Sequence, residues 1–98
     1  MRERIALTKG EVFWTDLKAH AARDAIIIAD EHLDLVDVGV ALAANDTKSV
    51  EAWIQSGKLL KPSAEDLSRW SVATNLTFMS VVVQPFVLIH RPVMPSLN

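Results

Sequence analysis

Three short apolar runs in the chain have the length and composition of β-strands. The run "AIIIA" (25–29) is bounded by Asp24 and Asp30, so the pattern predicts a buried strand. The runs "LTFMSVVV" (76–83) and "FVLIH" (86–90) are separated by Gln84 and Pro85. Because proline cannot donate to a ladder, Pro85 indicates an edge, a bulge or a bend. One long bent strand fits this pattern as well as two strands do.

Helical periodicity predicts a first helix over about 12–23, with Phe13 and Leu17 on one face. The next segment, "LDLVDVGVALAAND" (33–46), fits two structures. As a strand, it would place Asp37 among apolar side chains, whereas a helix gathers Asp34 and Asp37 on a polar strip. We predict a helix over 33–44 for this reason, although Gly39 and three valines lower its intrinsic stability.

Two further helices are predicted by their cap residues. Asp46 or Asn45 is positioned to cap a helix over about 47–56, and Gly57 is positioned to end it. The predicted buried face of this helix consists of Val50, Trp53 and Ile54. The segment "PSAEDLSRW" (62–70) has a serine followed three residues later by an aspartate, which is the spacing of a capping box and predicts another helix start.

Together these elements predict an α+β fold: a small, mostly antiparallel sheet of about 25–29, 76–83 and 86–90, covered by three to four short helices. The 98 residues fit a single domain, 1–98. We expect the two ends, about 1–7 and 92–98, to be loosely ordered, as chain termini often are.

The composition is apolar for so short a chain. Hydrophobic residues make up 50% of it, and the mean hydropathy is +0.21. A domain of this size leaves roughly a third of its unfolded-chain surface exposed, so we expect part of the apolar surplus to be shared with a partner. Symmetric dimers are the commonest assemblies, and we therefore predict a homodimer.

Charge and residue types argue against several classes of function. The net charge is −2 and the ten Lys and Arg residues are scattered, which does not fit nucleic-acid binding. The chain has no cysteine, which excludes disulfides and thiolate chemistry and fits a cytoplasmic protein. Charged residues at positions 2–4 do not fit a signal peptide. The longest apolar stretch, 81–89, is far shorter than the roughly 20 residues that span a membrane.

Three blocks of the chain resemble a known family. The blocks "RDAIIIADEHLDLVDVGVALAAND", "KPSAEDLSRW" and "VVVQPFVLIH" occur in this order and are similar to a small bacterial family, mainly cyanobacterial, that is classed only as a domain of unknown function. The resemblance covers most of the chain, from about Trp14 to His90. It implies a small cytoplasmic protein. It brings no activity, substrate or cofactor, so no catalytic residue is carried over.

The stretch "DEHLDLVD" (30–37) contains four acids and a histidine. A calcium loop beginning at Asp30 would need glycine at its sixth position and glutamate at its twelfth, but Leu35 and Ala41 occupy them. A looser metal site of Asp30, His32 and Asp34 is the functional alternative. Acids at a helix start have a simpler role, because they cap free N–H groups and oppose the helix dipole. We therefore predict a strand-to-helix junction and no metal site.

A second candidate site lies around His20 and Asp24, which are four residues apart on one predicted helical face. Such a pair can bind a metal ion or form a base with its orienting acid. Arg23 beside them can hold an anion, and Gln84 lies in an apolar run, where a buried amide needs partners. The competing interpretation is structural, with a half-buried histidine, an acid at the helix end and a surface salt bridge. No cofactor is implied.

The function predicted from these patterns is non-catalytic. The chain contains no HExxH, GxSxG or glycine-rich phosphate loop, so an enzyme is not expected. Trp14, Trp53 and Trp70 are predicted to fill the space between helices and sheet rather than to line a ligand pocket. We predict a protein-interaction or assembly module that forms a homodimer, with Pro85 and Phe86 as partner-binding residues. The alternative is a small-ligand or metal-binding protein, an enzyme included, that uses the second candidate site.

Overall fold

The computed structural model describes residues 2–73 and 76–92, which form one five-stranded sheet flanked by five helices. The helices are α1 (Arg2–Leu7), α2 (Trp14–Ala22), α3 (Leu35–Ala43), α4 (Thr47–Gln55) and α5 (Ala64–Val72). The strands are β1 (Gly10–Phe13), β2 (Ile26–Ala29), β3 (Leu59–Leu60), β4 (Thr77–Val83) and β5 (Phe86–His90). The predicted α+β class is confirmed, and the helix predicted over 33–44 is present as α3, although it begins only at Leu35, with Asp34 as its cap rather than on its polar strip.

The strands lie in the order β1-β4-β5-β2-β3. Three of the neighbouring pairs are antiparallel, as predicted, but β2 and β5 run parallel, with Ile26 opposite Val87. Gln84 and Pro85 form the turn between β4 and β5, and the peptide bond between them is cis. The two C-terminal apolar runs are therefore two strands of a hairpin rather than one bent strand.

The two faces of the sheet carry separate cores, because neighbouring residues in a strand point to opposite faces. On the first face, Ile28 packs with Leu17 of α2 and Trp70 of α5. On the second face, Ile5 of α1 and Val38 of α3 pack against β4 and β5, and α4 covers the same side. The fold therefore has three layers, which we name by their helices: the α2/α5 face, the sheet and the α1/α3/α4 face.

Gly39 allows α3 to approach α1 and β4 closely. A Cβ atom at this position would lie 2.9 Å from a methyl carbon of Ile5 and 2.9 Å from one of Val83. Carbon atoms in ordinary contact are about 3.5–4.0 Å apart, so a side chain here would overlap its neighbours. Packing thus explains a glycine that weakens the intrinsic helix propensity of α3.

Side chains cap the starts of α3 and α5. The sequence predicts the capping box of α5 and an acidic cap for α3, but it places Asp34 on the polar strip of that helix. Asp34 accepts hydrogen bonds from the backbone N–H of Val36 at 2.8 Å and of Asp37 at 3.1 Å. Ser63 and Asp66 form a reciprocal capping box, with bonds of 3.0 and 3.1 Å between side chain and backbone. These bonds satisfy N–H groups that would otherwise lack partners in the first turn of each helix.

The helix α4 is capped by Asp46 and followed by Gly57 at a φ of 77°, as predicted. Its buried face differs from the predicted one. Val50 and Trp53 are only half-buried, and Ile54 is 55% exposed. The prediction is wrong for Ile54, because α4 lies beside the two-residue strand β3 at the margin of the sheet and has too little sheet beneath it.

Three elements are missing from the sequence-based prediction. β1 has four residues and continues directly into α2, so its residues are hidden in the helical pattern of the sequence. The helix predicted over 12–23 therefore begins only at Trp14. β3 has only two residues, below the length of a recognisable strand signal. The segment 1–7, expected to be loosely ordered, contains α1 with Ile5 only 7% exposed. Of the segment 92–98, all but Pro92 lies outside the described residues.

Candidate functional site

The acidic stretch 30–37 lies where β2 leads into α3. Asp30 accepts a hydrogen bond from the backbone N–H of His32 at 2.8 Å, and its carboxylate lies 2.9 Å from the ring Nδ1 of His32. These two bonds hold the pKa of Asp30 below its ordinary value. Asp34 is committed to capping α3. Among residues 2–73 and 76–92, no group of three or more His, Cys, Asp or Glu side chains is placed to hold a metal ion.

The four candidate ligand-binding residues are divided among separate contacts. His20 is half-buried and its Nδ1 lies 2.6 Å from Nη2 of Arg23, so the imidazole accepts there, because a guanidinium only donates. Asp24 is exposed and accepts a hydrogen bond from Nζ of Lys61 at 2.6 Å. Gln84 is exposed in the β4–β5 turn, so the expectation of a buried amide is wrong.

Asp66 is a buried carboxylate that joins α5 to the end of β5. Its side chain is 6% exposed, and its Oδ1 accepts hydrogen bonds from Arg91, at 2.9 Å, and from Arg69. Burial alone would raise the pKa of this carboxyl, but hydrogen bonds from Arg91 and from the backbone of Ser63 outweigh burial and lower the pKa to about 2. Both carboxylate oxygens are engaged within the fold, which is typical of a structural group. The sequence indicated only the capping role, because Arg91, which follows β5, is 25 residues away along the chain.

The aromatic residues of the α2/α5 face form a compact cluster. The rings of Trp14 and Trp70 are 5.8 Å apart, and those of Trp70 and Phe78 are 5.1 Å apart in an edge-on arrangement. Trp70 is only 3% exposed. These rings fill the space between α2, α5 and the sheet, as predicted, while Trp53 packs on the other side of the sheet.

The α1/α3/α4 face is incompletely covered near the C-terminal end of α3. A depression of about 820 Å³ lies between α1, the end of α3 and the β4–β5 hairpin. Its apolar lining includes Ile5, Val82, Val83, Pro85 and Phe86. A second depression, of about 450 Å³, lies between α3, α4 and β3. Its apolar lining is Ile27, Leu42, Val50, Ile54, Leu59 and Leu60. The predicted partner-binding pair, Pro85 and Phe86, thus borders a concave apolar region.

Leu42 connects these depressions into one surface. This half-buried residue of α3 lines both of them and also a third depression of about 130 Å³ at the start of α4. We call the connected region the Leu42 surface; its principal apolar members are Leu42, Val50, Ile54, Pro85 and Phe86. Ile54 is 55% exposed. A contiguous exposed apolar patch of this kind marks an interaction site more often than isolated apolar residues do.

The edges of the sheet are less suited to binding a partner than the Leu42 surface is. β1 has four residues, and the backbone N–H of Phe13 at its end already donates to Asp16 at 3.0 Å. β3 has two residues between Lys58 and Lys61. Pairing β3 antiparallel with the same strand of a second copy would place Lys58 opposite Lys61, and like charges in that arrangement destabilise a ladder. Side-chain packing on an open face is therefore the better binding mode for this fold.

Comparisons with known proteins identify a family and a solved structure that are similar to this chain. Residues 1–91 match the family model described as "Protein of unknown function (DUF2288)". The structure is similar to the NMR solution structure of PA1075 from Pseudomonas aeruginosa, with a TM-score of 0.78 and 30% sequence identity over 96% of this chain and 87% of that chain. Among curated proteins, none matches the chain. No helix in the described part of the chain has the length and apolar character needed to cross a membrane.

Proposed function

We propose that this chain, which belongs to the family described as Protein of unknown function (DUF2288), is a non-catalytic protein-interaction module that forms a homodimer in the cytoplasm. The observation that supports this proposal is the Leu42 surface, a connected apolar region with Ile54 55% exposed at its margin. Burying such a surface against a partner is favourable by about 25 cal/mol per Å² of apolar area removed from water. Pro85 and Phe86 are partner-binding residues in this proposal because they line the same region.

Three acids of the described segments support the non-catalytic part of the proposal. Asp34 and Asp46 cap helices, and Asp66 is held by two arginines. Catalytic acids and bases usually lie in a cleft with a pKa adjusted towards neutral pH. The pKa values of Asp46 and Asp66 are lowered instead, by hydrogen bonds that favour the charged form, as expected for structural carboxylates.

Sedimentation equilibrium of the purified chain at micromolar concentrations tests the proposed homodimer. We expect a mass of twice the 10.8 kDa of one chain, with dissociation on dilution. A mass of 10.8 kDa at every concentration up to the solubility limit would contradict the proposal.

A second candidate is ligand or metal binding near His20, Arg23, Asp24 and Gln84, and the contact of His20 with Arg23 at 2.6 Å is the observation in its favour. This contact places an imidazole beside a guanidinium, which is a pair able to bind an anion. Thermal-shift measurements with divalent metals and nucleotides test this candidate. An increase in melting temperature that His20→Ala removes would support it, and a flat response that is unchanged by chelator would count against it.

A further inference from the structure

We infer that two copies meet with α4 of each copy inserted in the depression between α1 and the β4–β5 hairpin of the other. In this arrangement Ile54 lies against the partner's Pro85 and the partner's Phe86, and Glu51 lies beside the partner's Arg4. The inference rests on the proposed homodimer and adds its geometry, so the two can fail separately.

Apolar exposure supports this arrangement, because apolar side chains line the surface on both sides of Leu42. On the α4 side, Ile54 is 55% exposed and lines the depression of about 450 Å³. On the opposite side, the depression of about 820 Å³ has Pro85 and Phe86 in its wall. A two-fold axis that lies in the interface along Leu42 exchanges the two sides, so the exposed Ile54 of each copy faces the depression beside Pro85 and Phe86 of the other copy.

The charges of two exposed residues favour the same direction of the two-fold axis. Arg4 lines the hollow on the α1 side, and Glu51 lines the small depression on the α4 side, one helical turn before Ile54. Both residues are exposed. An axis along Leu42 brings each Arg4 beside the partner's Glu51, whereas an axis perpendicular to it in the same interface would bring Arg4 towards the partner's Arg4. Opposite charges across an interface favour the first arrangement and fix its register.

The local backbone favours a helix over a strand as the occupant of the hollow. β4 continues beyond the end of β1, and the N–H of Val82 on this uncovered edge donates to the hydroxyl of Thr8 at 2.9 Å. The same hydroxyl donates to the carbonyl of Ile5 at 2.7 Å. Because Thr8 occupies this part of the edge, an entering strand would find little ladder to extend. A helix such as α4 binds through side chains that pack against the apolar walls of the depression, so it needs no free backbone groups there.

Charge reversal tests the inference. The variants Arg4→Glu, Glu51→Arg and the double variant are compared by sedimentation, with circular dichroism to verify the fold and Lys18→Glu on the α2/α5 face as the matched control. Each single reversal creates two like-charge contacts per dimer, and we expect its dimer dissociation constant to increase by about tenfold or more. The double variant restores both contacts and is expected to return to within about threefold of the original value. Lys18→Glu is expected to leave the dimer dissociation constant unchanged.

The outcomes distinguish the geometry from the homodimer itself. If the wild type is a dimer and the charge reversals leave its dissociation constant unchanged, the inferred geometry is wrong but the homodimer is not. The same conclusion follows if the increases in dissociation constant of the two single variants simply add in the double variant. A monomeric wild type overturns both. Cysteine cross-linking gives a second measurement, because the chain has no cysteine of its own. When chains with Ile54→Cys are mixed with chains with Pro85→Cys, we expect a disulfide between the two copies. A mixture of Val72→Cys and Pro85→Cys chains is the control and is not expected to form one. Equal cross-linking in the two mixtures also overturns the geometry.

Discussion

Asp66 and Arg91 are joined by a hydrogen bond of 2.9 Å between the buried carboxylate and Nη1 of the guanidinium. The bond connects the first turn of α5 to the residue that follows β5, so it holds a helix of one face against the end of a central strand. The same carboxylate also caps α5 through the N–H of Ser63. One side chain thus secures both the start of a helix and its position on the sheet.

This arrangement predicts a loss of stability in acid. The pKa of Asp66 is about 2 in the fold, against an ordinary value of 3.8. Between these two values the unfolded chain binds more protons than the folded one, so the stabilisation is complete above about pH 4 and is lost as the pH falls through 2. One pKa unit corresponds to about 1.4 kcal/mol, which gives a loss of about 2 kcal/mol.

Urea denaturation at pH 5 and at pH 2 measures this loss. The wild type is expected to lose about 2 kcal/mol more of its free energy of unfolding over this range than Asp66→Asn, which cannot ionise. The comparison cancels the contributions of Asp30 and Asp46, whose pKa values are also lowered. Equal losses in the two proteins would show that Asp66 does not contribute in this way.

Replacement of Gly39 by alanine is expected to destabilise the fold, although alanine is the better helix former. The added methyl group would overlap Ile5 and Val83, each 2.9 Å from its position, and overpacking of this kind costs about 1–3 kcal/mol. Gly10→Ala is the matched control, because nothing lies within 4 Å of a Cβ atom at that position. Thermal denaturation distinguishes the two; a Gly39→Ala protein as stable as the wild type would mean that α3 has room to shift.

The aromatic cluster predicts unequal contributions from two tryptophans. Trp70 is 3% exposed and packs edge-on against Phe78, so Trp70→Ala is expected to cost about 3–5 kcal/mol. Trp53 is only half-buried on the opposite face, and Trp53→Ala is expected to cost less. The free energies of unfolding from denaturant titrations provide the comparison, and equal costs would contradict the assigned burial.

Local features of this fold were predictable from the sequence because they depend on neighbouring residues. The cap of α3 at Asp34 and the box of Ser63 with Asp66 involve groups two or three residues apart. The turn after α4 requires a positive φ, which Gly57 adopts easily. The apolar run at 25–29 likewise predicted β2 from its composition alone.

Features that depend on distant residues were not predictable. Arg91 reaches Asp66 only because β5 and α5 meet in space, and the exposure of Ile54 depends on how little sheet lies beneath α4. Gln84 was expected to be buried by its apolar neighbours, whereas the hairpin turn places it in solvent. The Leu42 surface combines residues of α1, α3, α4 and the hairpin, so no single stretch of sequence contains it.

The central claim is that the Leu42 surface is where two copies bind, and substitution of one exposed residue tests it most directly. Ile54 and Val72 are both exposed aliphatic residues of helices, at 55% and 79%, but Val72 lies on α5, across the sheet. Sedimentation equilibrium compares the three proteins at the same micromolar concentration. We predict a dimer for the wild type and for Val72→Lys, and a monomer of about 10.8 kDa for Ile54→Lys. A dimer that persists in Ile54→Lys with the affinity of the wild type would contradict the claim.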